Sequence, residues 1–363
     1  MKYFIIAGEQ SADLHGSNLM RAILAKDRTA TFCYWGGSAM EVVAPGKLLD
    51  ISETAIMGFA EVIKNLGKIK AFFKITKEAI TQFEPDTIIL IDYPGFNLRL
   101  ARWAKRHGYK IAYYISPQLW AWKKGRKESI RKYVDELIVI LPFEQAWYKK
   151  EGITAHYVGH PLVEAFAKYN YQSLPKQDKP VLALLPGSRQ QEVSKMLPIM
   201  MEAARKVQNR YQVVVAATNY VLTDIYTAHV ANTDALVVTD RTYDVLAASS
   251  LAIVTSGTAT LETALHGVPQ VVCYKTASIN YSIGKRLVDL QYISLVNIIL
   301  DEAAIPELIQ HDFTMKKLVA AINDLENEAD IVKAKYQRLH TLLSSERSAS
   351  ENAAEIIYNL AKK

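Results

Sequence analysis

The run Ile88-Ile89-Leu90-Ile91 constrains this chain more than any other feature. Consecutive apolar residues put hydrophobic side chains on both faces of a strand, which suits a strand covered on both sides. Short β-rich runs recur along the chain between longer stretches of helical periodicity. In the first half they fall at 3–7, 31–35, 87–91, 110–115 and 136–141. In the second half they fall at 181–185, 212–216, 235–238, 251–255 and 270–274. Strands alternating with helices imply parallel sheets with helices on both faces. Two sets of five strands imply an α/β chain of two doubly wound, Rossmann-like domains, with the site expected in the cleft between them.

Length supports the division, since 363 residues exceed what one hydrophobic core usually organises. Periodicity fails at 168–180, where Asn170, Gln172, Ser173, Pro175, Gln177 and Pro180 accumulate. The expected domains are therefore 1–168 and 175–340. From about residue 314 the sequence reads as helix. No run of 18 uncharged apolar residues occurs, which argues against a membrane-spanning helix. The first apolar run meets Glu9 too early to be a secretory signal. Cys33 and Cys273, far apart in apolar runs, read as reduced core thiols of a cytosolic protein. The net charge of +6 favours an anionic partner.

In open α/β sheets ligands bind beyond the carboxyl ends of the strands, so the strand-to-helix turns are where to look. Two such turns in the second half suit a phosphate. Leu185-Pro186-Gly187-Ser188-Arg189 ends a strand and leads into a helix that Ser188 is placed to start, with Glu192 just inside it. Free amides at a helix start attract an anion, and Arg189 adds a fork of donors. Ser256-Gly257-Thr258 crowds hydroxyls around a glycine that lets the backbone approach a ligand. Glu262 follows, within reach of a ribose if a diphosphate sits there. Ordinary helix capping by Ser188, Ser256 or Thr258 is the plainer alternative. Neither G-x-G-x-x-G nor G-x-x-x-x-G-K-[ST] occurs, and neither does Asp-x-Asp. A nicotinamide cofactor and a bridging metal are therefore not expected, and helix dipoles would take the cation's place.

The first half offers carboxylates and apolar surface. Gly8-Glu9-Gln10-Ser11-Ala12-Asp13-Leu14-His15 gathers three ionisable groups at a strand end. Asp13 suits capping as well as catalysis, whereas Glu9 has no obvious capping task. Asp92 ends the wholly apolar strand, where partial burial would raise its pKa towards that of a useful base. Trp120-Ala121-Trp122-Lys123-Lys124 joins two indoles to basic residues, suiting a membrane surface or stacked bases, with a solvated basic helix as the alternative. Residues 56–73 read as a basic helix of excess apolar width. Met57, Phe59, Ile63, Leu66, Phe72 and Phe73 are its candidate membrane or lipid contacts, against ordinary core packing.

Taken together these segments resemble lipid-A-disaccharide synthase, an inverting glycosyltransferase family of the GT-B architecture. The matching pieces run in order from Ala7-Gly8-Glu9-x-Ser11-x-Asp13 through Ile56-Met57-Gly58, Ile91-Asp92-x-Pro94-x-Phe96-Asn97 and Ser116-Pro117-x-x-Trp120-Ala121-Trp122. They continue with Leu141-Pro142-Phe143-Glu144, Val158-Gly159-His160, Pro186-Gly187-Ser188-Arg189-x-x-Glu192, Ser256-Gly257-Thr258-Ala259-x-Leu261-Glu262 and Tyr292-x-Ser294-Leu295-x-Asn297. The resemblance implies a UDP-2,3-diacylglucosamine donor, a 2,3-diacylglucosamine 1-phosphate acceptor and a β-1,6-linked product. It implies Asp92 as general base and a donor held by Gly187, Ser188, Arg189, Ser256, Gly257, Thr258 and Glu262, with Asn297 nearby. It also implies work at the cytoplasmic face of the inner membrane of Gram-negative cells, possible dimerisation, and a last helix at about 350–363 that crosses back to the first domain. Gln10, Ala12, Tyr93 and Gly95 depart from the pattern and touch acceptor details. Three other readings stand beside this one: a sugar-nucleotide 2-epimerase, a non-catalytic membrane-surface protein, and a nucleic-acid binder, the last needing steeply salt-dependent affinity.

Overall fold

The computed structural model describes residues 1–54, 66–121, 124–175, 177–276 and 290–363. Met57, Phe59, Ile63, Trp122 and Lys123 lie outside the described residues. The chain divides into two compact units, one of Met1–Glu164 with Leu343–Lys363 and one of Ala165–Leu342.

The first unit holds a parallel sheet of β1 (Lys2–Ala7), β2 (Thr31–Gly36), β3 (Lys47–Asp50), β4 (Thr87–Ile91), β5 (Ile111–Tyr114), β6 (Glu136–Val139) and β7 (His156–Tyr157), in the order β3-β2-β1-β4-β5-β6-β7. Every residue of β4 is buried, and each such aliphatic side chain contributes about 1.5–3 kcal/mol through burial. Alternate residues feed two cores. Tyr3, Ile5, Ile89 and Ile91 pack with Ala353, Ala354 and Ile357 of the C-terminal helix. Phe4, Ile6, Ile88 and Leu90 pack with Ile80, Phe96 and Leu100 on the other face. The helix Ala349–Lys362 thus completes one face of the first sheet. Ser348 caps it, and buried Glu164 accepts from the Ser350 amide at 3.2 Å and from its hydroxyl at 2.7 Å.

The second unit holds β8 (Val181–Leu185), β9 (Gln212–Ala217), β10 (Leu236–Thr239), β11 (Ser249–Thr255), β12 (Gln270–Tyr274) and β13 (Glu307–Ile309), ordered β10-β9-β8-β11-β12-β13 and again parallel. The expectation of five strands per sheet is corrected to seven and six. The additional strands β3, β7 and β13 have two to four residues of intermediate burial. Such short edge strands lack the two-faced apolar signature of the sheet centre. Residues 165–175 group with the second unit through specific bonds. The Gln172 amide donates to buried Asp244 at 2.8 Å, and Arg241 donates to the carbonyl of Gln172 at 3.0 Å.

Phe72 and Phe73, expected at a membrane surface, pack inward instead. Phe72 meets Trp35 edge-on at 5.8 Å, and Phe73 stacks on Phe96 at 4.1 Å. The correction has a physical cause, because the Leu66–Phe83 helix must cover the outer face of β1 and β4, and these rings are its filling. Both cysteines are free. Among the described residues no helix is long and apolar enough to cross a membrane.

Removing the Ser350 hydroxyl leaves the buried Glu164 carboxylate short of a donor. Ser350→Ala is expected to destabilise the first unit by about 1–3 kcal/mol, read as a lower unfolding temperature and faster amide exchange in the last helix.

Candidate active site

Both sheets reverse their strand order at one place, between β1 and β4 and between β8 and β11. Loops leaving paired strands there part to opposite sides and open a crevice. Ala7 pairs with Ile91, so Gly8-Glu9 and Asp92-Tyr93 leave the first sheet side by side. Leu185 pairs with Val254, so the Gly187 and Ser256 turns do the same in the second.

In the first unit Asp92 and Tyr93 both adopt left-handed backbone, at φ 44° and 48°, as does Ile115 at the end of the adjacent strand, at φ 61°. Each such residue costs about 1–3 kcal/mol and persists only where its surroundings over-determine it. Here they do. The Asn97 side-chain amide donates to the carbonyls of Ile91 (3.2 Å) and Asp92 (2.7 Å). The Tyr113 hydroxyl also donates to the Asp92 carbonyl, at 2.6 Å, and the Asp92 amide donates to Tyr114 at 3.1 Å. Gly8 does not make a positive-φ turn. Its role is room, since a Cβ there would stand 2.7 Å from the Tyr93 ring. Burial, followed by the charge of Glu9, pushes the Asp92 pKa up to about 7.

The other ionisable groups of the first turn face elsewhere. Buried Asp13 accepts from the amides of Gly37 (2.7 Å), Ala39 (3.0 Å) and Met40 (3.2 Å), so it caps the short helix Ser38–Glu41 rather than its own. Burial lowers the His15 pKa to about 4, and the ring stays neutral. Trp120 is corrected too. It is buried, donates its indole N–H to Glu144 at 3.1 Å and meets Phe143 edge-on at 4.9 Å. Lys124 opens a short 3-10 turn, and Leu66 opens the Leu66–Phe83 helix.

In the second unit a cavity of about 370 Å³ is lined by Leu185, Gly187, Ser188, Arg189, Glu192, Ala216, Ala217, Thr218, Thr242, Thr255, Ser256, Gly257, Thr258, Ala259 and Glu262. It brings together every residue expected at the donor turns except Asn297. Gly187 has φ +112°, and a Cβ on it would meet Glu192 Oε2 at 2.8 Å. Arg189, not Ser188, is the residue that starts the following helix, because the Glu192 carboxylate takes the Ser188 amide at 3.3 Å. The Arg189 side chain is 78 % exposed and reaches the same carboxylate at 3.3 Å. Thr258, not Ser256, starts the Ala259–Leu265 helix. The Ser256 hydroxyl is used to hold the Ile293 carbonyl at 3.0 Å. Among the described residues beyond its chain neighbours, no atom lies within 4 Å of where a Gly257 Cβ would stand, so that backbone faces open space.

Asn297 is corrected from ligand neighbour to structural knot. Its side-chain NH₂ donates to Ile305 O and Glu307 Oε1, each at 2.9 Å, and its oxygen accepts from the amides of Ala304 (2.9 Å) and Ile305 (3.0 Å). That set uses all of its hydrogen-bonding capacity. Sequence reasoning missed Thr255, which lines the cavity and whose buried hydroxyl has no hydrogen-bond partner among the described residues. It also missed Thr218 and Thr242. The available signal was a hydroxyl residue after a strand end, as at Ser256.

Two Rossmann-like sheets, with a polar cavity at the switch point of one and a half-buried carboxylate at that of the other, make up the GT-B architecture. Solved structures with this fold include UDP-GlcNAc 2-epimerase from Neisseria meningitidis bound to UDP-GlcNAc. It has a TM-score of 0.64 at 12% identity and covers 100% of both chains. The calicheamicin glycosyltransferase CalG4 has a TM-score of 0.63 at 15% identity, covering 99% of this chain and 97% of its own. The family model for lipid-A-disaccharide synthetase matches residues 3–360. The lipid-A-disaccharide synthase of Geobacter sulfurreducens is 39% identical over 88% of this chain and 86% of its own. That of Coxiella burnetii (strain CbuG_Q212) is 34% identical over 98% and 97%. The chain belongs to the lipid-A-disaccharide synthase family, and its role is lipid A disaccharide synthesis from a UDP-sugar donor and an acceptor sugar.

Two glycines give opposite expectations. Gly8→Ala displaces Tyr93 and with it the Asp92 turn, lowering both unfolding temperature and activity. Gly257→Ala leaves the unfolding temperature within a degree or two, because the added methyl enters open space, and weakens UDP binding by crowding the cavity. Thermal melts and calorimetric titration check both.

Proposed function

We propose that this enzyme transfers 2,3-diacylglucosamine from UDP-2,3-diacylglucosamine to 2,3-diacylglucosamine 1-phosphate, releasing UDP and forming the β-1,6 disaccharide 1-phosphate. The observation that carries the reading is Asp92, a strained, half-buried carboxylate at a switch point with a pKa of about 7. A general base works best when its pKa lies near the operating pH. Asp92 takes the proton from the acceptor's 6-hydroxyl as that oxygen attacks the anomeric carbon. Glu9 contributes the negative charge that helps hold Asp92 in this range.

The donor belongs to the second unit. Its diphosphate lies against Gly187, Ser188, Arg189, Ser256, Gly257 and Thr258. Glu262 receives the ribose. The start of the Gln190–Val207 helix carries roughly half a positive charge. With Arg189 it offsets the charge that develops on the departing UDP. The acyl chains of both substrates place the enzyme at the inner-membrane surface, attached peripherally.

The test incubates the purified protein with both diacylated substrates and a chelator and follows UDP release. Acceptor-dependent release supports the reading. Epimer formed from UDP-N-acetylglucosamine without acceptor would overturn it.

Asp92→Ala is expected to lower kcat by about 10²–10⁴. In the wild type, kcat rises as pH increases through about 7 and levels above it, because the base must be ionised. Stability runs the other way. The folded state binds this proton more tightly than the unfolded chain, so stability falls as pH rises from about 4 to about 7, and above that the full cost of the ionised group remains. Asp92→Asn therefore melts at a higher temperature than wild type at pH 8 while remaining inactive.

A further inference from the structure

Tyr243 lies one residue after Thr242, in the helix Thr242–Ala247 that follows β10. Its ring packs against Tyr169 at 5.0 Å and His266 at 5.1 Å. Its hydroxyl donates to Glu262 Oε1 at 3.2 Å. His266 holds the same residue by its backbone, with Nδ1 2.7 Å from the Glu262 carbonyl. A carbonyl only accepts, so Nδ1 carries the proton and Nε2 accepts from the Tyr171 hydroxyl at 3.2 Å. Burial lowers the His266 pKa, in keeping with that neutral tautomer. Burial also raises the Tyr243 pKa, so its hydroxyl keeps its proton at any working pH. Glu262 is thus fixed at carbonyl and carboxylate by one aromatic cluster, and it lines the cavity of the donor turns.

We infer that Tyr243 is a positioning residue for donor recognition: by occupying Oε1 of Glu262 it presents Oε2 to the ribose hydroxyls and so selects ribonucleoside over deoxyribonucleoside diphosphates. The inference rests on the donor reading above, in which Glu262 receives the ribose. A carboxylate free to rotate would meet the two hydroxyls in many orientations. One tethered at a single oxygen meets them in few, and less ordering remains to be done on binding. A site built to accept from a hydroxyl also rejects the analogue lacking it, because its buried acceptor is left unpaired.

The test is calorimetric titration of the full-length protein with UDP, 2′-deoxy-UDP and 3′-deoxy-UDP, with donor kinetics alongside. Wild type is expected to prefer UDP to at least one deoxy analogue. Tyr243→Phe keeps the ring and its packing. It should bind UDP about five- to tenfold more weakly, lose most of the preference, and raise the donor KM with kcat changed less than twofold. Glu262→Gln should lose the preference as well, and adding Tyr243→Phe to it should cost nothing further. Equal weakening of all three ligands by Tyr243→Phe overturns the inference, since that is the mark of a packing role. An unchanged preference in that variant overturns it too, when Glu262→Gln has lost the preference. If Glu262→Gln retains wild-type affinity and preference, the ribose assignment itself fails and the inference falls with it.

Discussion

The parallel pairing of β1 with β4 and of β8 with β11 is the constraint on which the rest of this molecule depends. Each pair has its connecting helices on opposite faces of its sheet, so the loops beyond its carboxyl ends diverge and leave room. The register then decides which side chains share that room. Ala7 opposite Ile91 brings Glu9 towards Asp92, and Leu185 opposite Val254 brings Gly187 and Glu192 to the same cavity as Gly257 and Glu262. A slip of one residue in either pair would turn the two-faced strands over and separate these groups.

The chemistry at Asp92 draws on that rigidity. Two consecutive left-handed residues and a half-buried carboxylate each cost free energy that a loosely held loop would recover by relaxing. Three hydrogen bonds to the Ile91 and Asp92 carbonyls, and a tyrosine ring laid over Gly8, prevent the relaxation. The burial of β1 and β4 offsets the cost, since these strands anchor both cores of the first unit.

The centre of each sheet was legible in the sequence because both of its faces must be apolar. Of the four edge strands only β10 was read, since β3, β7 and β13 are short and half-exposed. The donor turns were legible as clusters of glycine, hydroxyl and charge, and eight of the nine residues expected there line one cavity. Asn297 failed for a reason that composition cannot reveal. An asparagine with every bond satisfied by nearby backbone and Glu307 reads, in sequence, like one awaiting a ligand. Phe72, Phe73 and Trp120 failed similarly, because the width of an apolar face does not say whether lipid or protein covers it. Tyr243 carried no local signal at all, as its partner Glu262 is nineteen residues away.

The carboxylate of Glu192, resting against the Ser188 amide and the Arg189 guanidinium, gives the helix start an occupant of its own. On the proposed donor reading, an incoming anion enters by displacing that carboxylate rather than by filling a vacant charge. The resident is tethered, so its local concentration is high and does not fall on dilution. A small monovalent anion gains little from the exchange. A diphosphate, which on the proposed donor reading also engages the Ser256-Gly257-Thr258 turn, gains more. On that reading the chain carries its own competitor, a filter set by valence.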